Sequence, residues 1–470
     1  MNNEVEIRNR LLLEAAHNAW QAMAPLRERR RRYCRFTYGD QWSDVTQDLK
    51  GNTCTERDEA EAAGRKPMTN NLIRRLVKAV IGRFRMERLE KPEAFRKADP
   101  QGFNNLDELD ARTLEEFLIS GMAIHRVCRE KRINGDGVWA DNISPDRFFV
   151  NAFTDSRGCD LELVGSLQDM SMAEILMRFS GGSARKAARL KKLYGNSSTT
   201  LGIYDTPFEP EEISFFHARD GRCRVIELWT LECRERLRCH DPLTATLGFL
   251  PPEKASLLKR RNAQRRRQHQ PQIQSRWEVA PLWHCRYLAP DGTELAGFDS
   301  PLADGSLPYA IKMYPLIDGE VHSLVEDVID QQKYVNRLIT LMDHIMGVSA
   351  KGALLFPKEC RIDKYTVDQY AKMWATPGAV IPYHPFDGNE PHQISATPTD
   401  IGAKDMLQTQ IGLFEDISGV NSTLMGKSVS GAVGAERYQT EMRNSAVSIL
   451  DLMETFADFT TRRNRLMTQA

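Results

Sequence analysis

From Val321 to Met346, apolar side chains recur at Leu324, Val328, Val335, Leu338, Met342 and Ile345. This is the spacing of one helical face, sustained for about seven turns, which gives a rod of roughly 39 Å. Glycines at 347 and 352 then interrupt the repeat ahead of GALLFP. Trp374 is followed by Pro377, Gly378, Pro382, Pro385, Gly388 and Pro391, which require compact, non-helical structure in the latter part of the segment. Helical spacing returns over 401–417 and again over 436–465, separated by the glycine-rich string GVNSTLMGKSVSGAVG. Any fold for this chain must accommodate the order rod, small cap, rod, loop, rod.

The first two thirds are mixed. A helical pattern over 6–35 (Leu11, Leu12, Leu13, Ala16, Trp20, Met23, Leu26) ends in Arg27, Arg29, Arg30, Arg31, Arg32 and Arg35, either a solvated face or a polyanion or subunit contact. FTYGDQW (36–42) breaks that helix at Gly39 and supplies aromatic anchors, and the polar stretch 49–67 reads as a loop. Asn70 and Asn71 precede an amphipathic helix with Leu72, Ile73, Leu76, Val77, Val80 and Ile81 on one face, and an Asn is available to cap it. A helix over 105–122 leads to strands at 123–127 and 137–149. Short helices follow at 171–178 and 184–194. ISFFHARD (213–220) and CRVIELWTLECRERLRC (223–239) have the period of two expected of paired strands. Strand character resumes at 277–287 and 307–314 around a turn at Asp291 and Gly292. The fold class is α+β, and 470 residues suggest about three structural units.

Charge restricts the partners. Lys plus Arg equals Asp plus Glu at 64 each, so the whole chain has no field that draws it onto nucleic acid or lipid, and any DNA contact must be local. The strongest local candidate is 252–276, where Lys254, Lys259, Arg260, Arg261, Arg265, Arg266, Arg267 and Arg276 lie among glutamines. An exposed insertion is the plainer reading of the same residues. Nine scattered cysteines fit free thiols in a reducing compartment. The start of the chain has no secretory pattern and no run of 18 apolar residues occurs, so the chain reads as a soluble protein.

Signatures of catalysis are weak. GKS at 426–428 lacks the glycine spacing and the preceding strand of a phosphate-binding loop. GxSxG, HExxH and GxGxxG do not occur. Glu326, Asp327 and Asp330 could hold a cation at a helix face or remain solvated or interhelical charges, and His344 reads as a packing residue. The spacing of Cys223, Cys233 and Cys239 matches no common zinc site. The expectation is a protein without an active site, cofactor or metal.

Four strings, FTYGDQW, MTNNLIRRLVKAVIGRFR (68–85), VEDVIDQQKYVNRLITLMDHIMGVSAKGALLFP (325–357) and FEDISGVNSTLMGKSVSGAVGAERYQTEMRN (414–444), together resemble tailed-bacteriophage portal proteins, on the short-tailed phage branch. The resemblance implies the portal fold: an α/β wing over 1–320 with 252–276 as a basic insertion, a first stem helix at 323–346, and a clip at 350–395. A second stem helix at 399–417, a tunnel loop at 419–434, a long helix returning to the wing at 436–465 and a tail at 466–470 complete it.

It also implies a ring, usually of twelve identical subunits, at one capsid vertex in the virion, assembled in the host bacterial cytoplasm. That ring would be the channel for genome packaging and ejection. Its partners would be double-stranded DNA bound non-specifically, the terminase large subunit, tail adaptor proteins, and capsid and scaffolding proteins, with no membrane contact.

On that mapping Asn421, Ser422, Lys427, Ser428 and Ser430 face DNA, because a channel must touch the duplex without gripping it. Arg260, Arg261, Arg265, Arg266 and Arg267 are candidate basic contacts, Leu338, Met342 and Phe414 serve the stem and ring assembly, and Trp374 and Pro377 belong to the clip. Two rivals remain: a non-portal DNA-binding structural or adaptor protein acting through 252–276, and a metal-dependent nuclease acting through 326–330.

Overall fold

Cys223–Asp241 forms one 19-residue strand. Gln274–Leu288 runs antiparallel along it from Ile226 opposite Leu288 to His240 opposite Gln274. Leu163–Met170 occupies its other edge from Thr230 back to Cys223. Phe148–Val150 and Glu294–Asp299 close the two sides, and Thr246–Leu250 pairs with the far end of the long strand, completing a six-stranded sheet. A second sheet of three strands has Met122–Arg132 between Tyr309–Met313 and Gly135–Asn142. The computed structural model describes residues 2–47, 51–90, 102–132, 135–195, 213–219, 221–250, 252–302, 304–349, 353–375, 380–386, 388, 390–394, 402–420 and 447–470.

Two units partition the chain. The larger takes residues 1–34, 77–326 and 447–470, and the smaller takes 35–76 and 327–446. In the larger unit residues 223–230 are buried without interruption, the pattern of a strand covered on both faces, whereas burial of residues 231–241 is broken by exposed positions. Phe148, Phe149, Val164, Ile226, Leu228, Cys285 and Tyr309 form the centre of the core. Gly165 lies in the crowded middle of the sheet, where a Cβ would run into the Phe149 ring and the Glu227 carbonyl, so the strand there requires glycine. The C-terminal helix Leu450–Gln469 packs on the three-stranded sheet, with Phe456 against Phe84 and Phe117.

Several expectations change. The N-terminal pattern is two helices, Asn2–Ala22 and Ala24–Tyr38, and the second takes in Phe36 to Tyr38 before Gly39 ends it at φ +110°. ISFFHARD does not supply a strand in its described part, 213–219. Both edges of Cys223–Thr230 are already taken, and Phe215 is instead a buried plug against His17, Trp20, Phe149 and Phe216.

In the smaller unit the polar stretch 49–67 supplies the strand Thr53–Thr55, which pairs antiparallel with Val45–Gln47 ahead of it, followed by the helix Glu56–Ala62. Thr55 and Asp58 form a reciprocal capping box that supports a helix with little apolar content. The helix Leu72–Glu90 starts where expected, its Arg74 N–H donating to Asn71 Oδ1 at 2.9 Å. Leu324–Ser349 is a 26-residue helix. Ala353–Leu355 pairs with His392–Ile394, with the helix Val367–Ala375 between them in sequence. Ala403–Ser418 is helical and ends on Gly419 at φ +65°. The last helix runs to Gln469 and buries Leu466 and Met467, so 466–470 is not a separate tail.

Candidate functional site

The basic segment 252–276 is built onto the far end of the long hairpin. A 3-10 turn, Pro252–Lys254, opens into the helix Ala255–Arg267, and the chain then returns into Gln274–Leu288. Leu258 and Ile273 close over Leu237 and Cys239, with Leu250 alongside. Asn262 locks the return: its amide donates to the Ile273 carbonyl at 2.9 Å and its Oδ1 accepts the Ile273 N–H at 2.8 Å.

Sequence grouped five arginines here, and the fold separates one of them. Arg265 is buried and makes two hydrogen bonds of 2.7 Å to the two carboxylate oxygens of Asp241. Those hydrogen bonds hold the Asp241 carboxyl down at about 2. Arg265 therefore anchors the helix, while Arg260, Arg261, Arg266 and Arg267 are exposed.

The rod Leu324–Ser349 carries a polar stripe that the sequence reading missed. Gln332, Asn336 and Thr340 lie four residues apart, all buried, and each meets the backbone of residues 68–73. Gln332 accepts from the N–H groups of Leu72 and Ile73 and donates to the Asn70 carbonyl, while Asn336 Nδ2 donates to Gln41. The first N–H groups of the Leu72–Glu90 helix thus find their acceptors on another helix. Lys333 reaches Asp44 at 3.0 Å and Glu56 at 2.5 Å, and Arg337 reaches Glu56 at 3.1 Å. Polar residues at i, i+4 and i+8 inside an apolar repeat were the signal that could have exposed this stripe.

Burial redistributes the candidate assembly residues. Leu338 is 7% exposed and Phe414 1%, so the chain itself already covers both, while Met342 and Trp374 are half-buried. The large apolar side chains left exposed in the smaller unit include Met346, Met406, Leu413 and Ile417 on its helices, and Val367, Val380 and Phe386 between 353 and 394. Pro377, Asn421, Ser422, Lys427, Ser428 and Ser430 lie outside the described residues, as does most of the segment 419–434.

The acidic candidates do not converge. Glu326 meets the His322 ring at 3.4 Å and Arg29 at 3.8 Å, and it accepts from Tyr33, whose phenol is raised by burial and by that bond. No group of three His, Cys, Asp or Glu side chains suited to a metal ion occurs among the described residues. All nine cysteines are free thiols, and no described helix is long and apolar enough to cross a membrane.

A family model described as phage P22-like portal protein matches residues 110–467. Two of the four strings that carried the resemblance, 325–357 and 414–444, fall within that span, and FTYGDQW and 68–85 precede it. No curated protein matches the chain.

Proposed function

Because the chain belongs to the phage P22-like portal family, we propose that it closes into a ring, of about twelve subunits by the family resemblance, at a capsid vertex and forms the channel for genome packaging and ejection. The observation that carries this reading is the matched span. It runs in order through both sheets, the Leu324–Ser349 helix, the small strand pair, the Ala403–Ser418 helix and the C-terminal helix. Under this reading Leu324–Ser349 and Ala403–Ser418 are the stem, 350–395 is the clip that meets the terminase large subunit and tail adaptors, and 419–434 is the loop facing DNA. The protein acts as a conduit and has no catalytic role.

Exposed apolar side chains on the smaller unit support assembly, since Met346, Met406, Leu413 and Ile417 are left for a neighbour to cover. In a cyclic ring each subunit buries two different patches, one against each neighbour. Negative-stain microscopy with solution mass tests the reading. Closed rings with a central channel and a mass of about twelve subunits are expected, and a monomer under every assembly condition overturns it.

The loop assignment has its own test. Deleting 420–433 is expected to leave ring assembly intact and to impair DNA packaging or retention. Normal packaging by that deletion removes the DNA-facing role of the segment.

A further inference from the structure

We propose that the helix Ala255–Arg267, mounted on the end of the long hairpin, is a sequence-independent docking surface for the phosphate backbone of duplex DNA. The inference rests on the portal reading, in which duplex DNA is the polyanion at hand, and it gives the wing a DNA contact separate from the tunnel loop.

The helix is fixed from beneath and bare above. Leu258, Asn262 and Arg265 face the hairpin, where apolar packing, the double hydrogen bond to Ile273 and the Asp241 pair hold the element in place. At 100° per residue, Arg260 and Arg267 project opposite that buried stripe, with Lys259 and Arg266 on one flank. All four are exposed, and none has an ion-pair partner among the described residues. No carboxylate occurs in sequence between Glu253 and Glu278. A rigid helix showing unpaired cations and no acidic side chain is suited to counterion release from a backbone, because the charges need no further ordering and no carboxylate repels the phosphates. Arginine outnumbers lysine, and its planar fork meets phosphate oxygens in pairs.

The composition of the outer face distinguishes among polyanions. Ser256, Ala263 and Gln264 lie between the cations, and the apolar stripe of the helix is already used on the hairpin; Leu257 is the one large apolar side chain of the helix left exposed, too little to seat it in a bilayer. Glutamines at 264, 268 and 270 add hydrogen-bond donors that a phosphate or sugar oxygen accepts.

The test uses the full-length protein and a mixed-sequence 30-base-pair duplex, with affinity measured across a range of KCl concentrations. Replacing Lys259, Arg260, Arg266 and Arg267 by Gln is expected to weaken binding at least tenfold at low salt. It should also flatten the log–log salt slope by up to about 3.6, or about 0.9 for each phosphate no longer neutralised. Arg267→Gln alone is expected to flatten it by about one such step.

A control removes equal charge from the exposed Arg185, Lys186, Arg189 and Lys192 on the helix Ala184–Tyr194, and it should bind as the parent does. Equal losses in both variants, or an unchanged slope in the first, overturn the proposal. It is also overturned if the first variant loses only its binding to phosphatidylglycerol vesicles while duplex affinity holds. Ring formation is scored in parallel on the same samples, so failure of the family reading and failure of this site are told apart.

Discussion

Asp110→Ala will destabilise the larger unit by about 3–5 kcal/mol, the range for stripping the partner from a buried charge. Asp110 and Arg463 are both 0% exposed, joined by hydrogen bonds of 2.6 and 2.9 Å between residues 353 positions apart in sequence. Arg88 also donates to the same carboxylate. Alanine leaves two buried guanidiniums with one carboxylate fewer. His125, packed nearby on Phe459 and hydrogen-bonded to Thr113, is no substitute, since burial and Arg463 hold its ring down at about 3 and it stays neutral.

Urea unfolding of the variant should show the loss as a lower midpoint with little change in slope. Arg463→Met is expected to cost less, because Asp110 keeps Arg88; the reverse order would sink this account. The pH dependence follows from the same geometry. Burial alone would raise the Asp110 carboxyl, but attraction and hydrogen bonds from Arg463, with Arg88, hold it below its ordinary value. A depressed folded value stabilises above the unfolded carboxylate value of about 3.9, and that contribution disappears as the pH falls through the folded one. Asp110→Ala should therefore show a shallower loss of stability below about pH 4 than the parent.

Glu227→Ala will have an effect of similar size, about 3–5 kcal/mol, at the junction of the two sheets. Glu227 is fully buried and accepts from Arg126 Nε at 3.1 Å, Trp229 Nε1 at 2.7 Å, Gln168 Nε2 at 2.5 Å and Tyr309 Oη at 3.2 Å. Arg126 stands on the three-stranded sheet and Glu227 on the six-stranded one, so one ion pair ties the layers together. Alanine leaves the buried Trp229 donor without its acceptor, strips the half-buried Gln168 amide of its partner, and leaves the Tyr309 hydroxyl with Ser166 alone.

Arg126 retains Glu130, whose own carboxyl would be raised by burial but is held at about 2 by Arg126 and Arg178. This limits the damage to Arg126 without rescuing the Trp229 donor. Glu227→Gln should lose less, since its amide oxygen still accepts. Denaturant unfolding followed by indole emission measures both variants, and an alanine variant within about 1 kcal/mol of the parent would mean that the network contributes no more than an ordinary hydrogen bond.

Periodicity was legible at close range. The rod expected over 321–346 is the helix Leu324–Ser349, the one over 401–417 is Ala403–Ser418, and 184–194 is Ala184–Tyr194. The portal resemblance, carried by four strings, agrees with the family match over 110–467. Less of the candidate site could be read. Arg265 looks in sequence like its four neighbours and is the one spent on Asp241, 24 residues away. Leu338 and Phe414 were reasonable surface knobs on isolated rods, and the folded chain covers both.

The helical periods of 321–346 and 401–417, the strand pattern of 223–239, the local excess of cations at 252–276 and the family resemblance were set by the sequence alone, because each depends on residues within a few turns or one stretch of chain. The tertiary structure decided which charges are left unpaired and which apolar residues remain outside. Pairing and burial depend on groups that meet only after folding, such as Asp110 with Arg463 or Gln332 with the backbone of residues 70–73, and no local period encodes such a meeting.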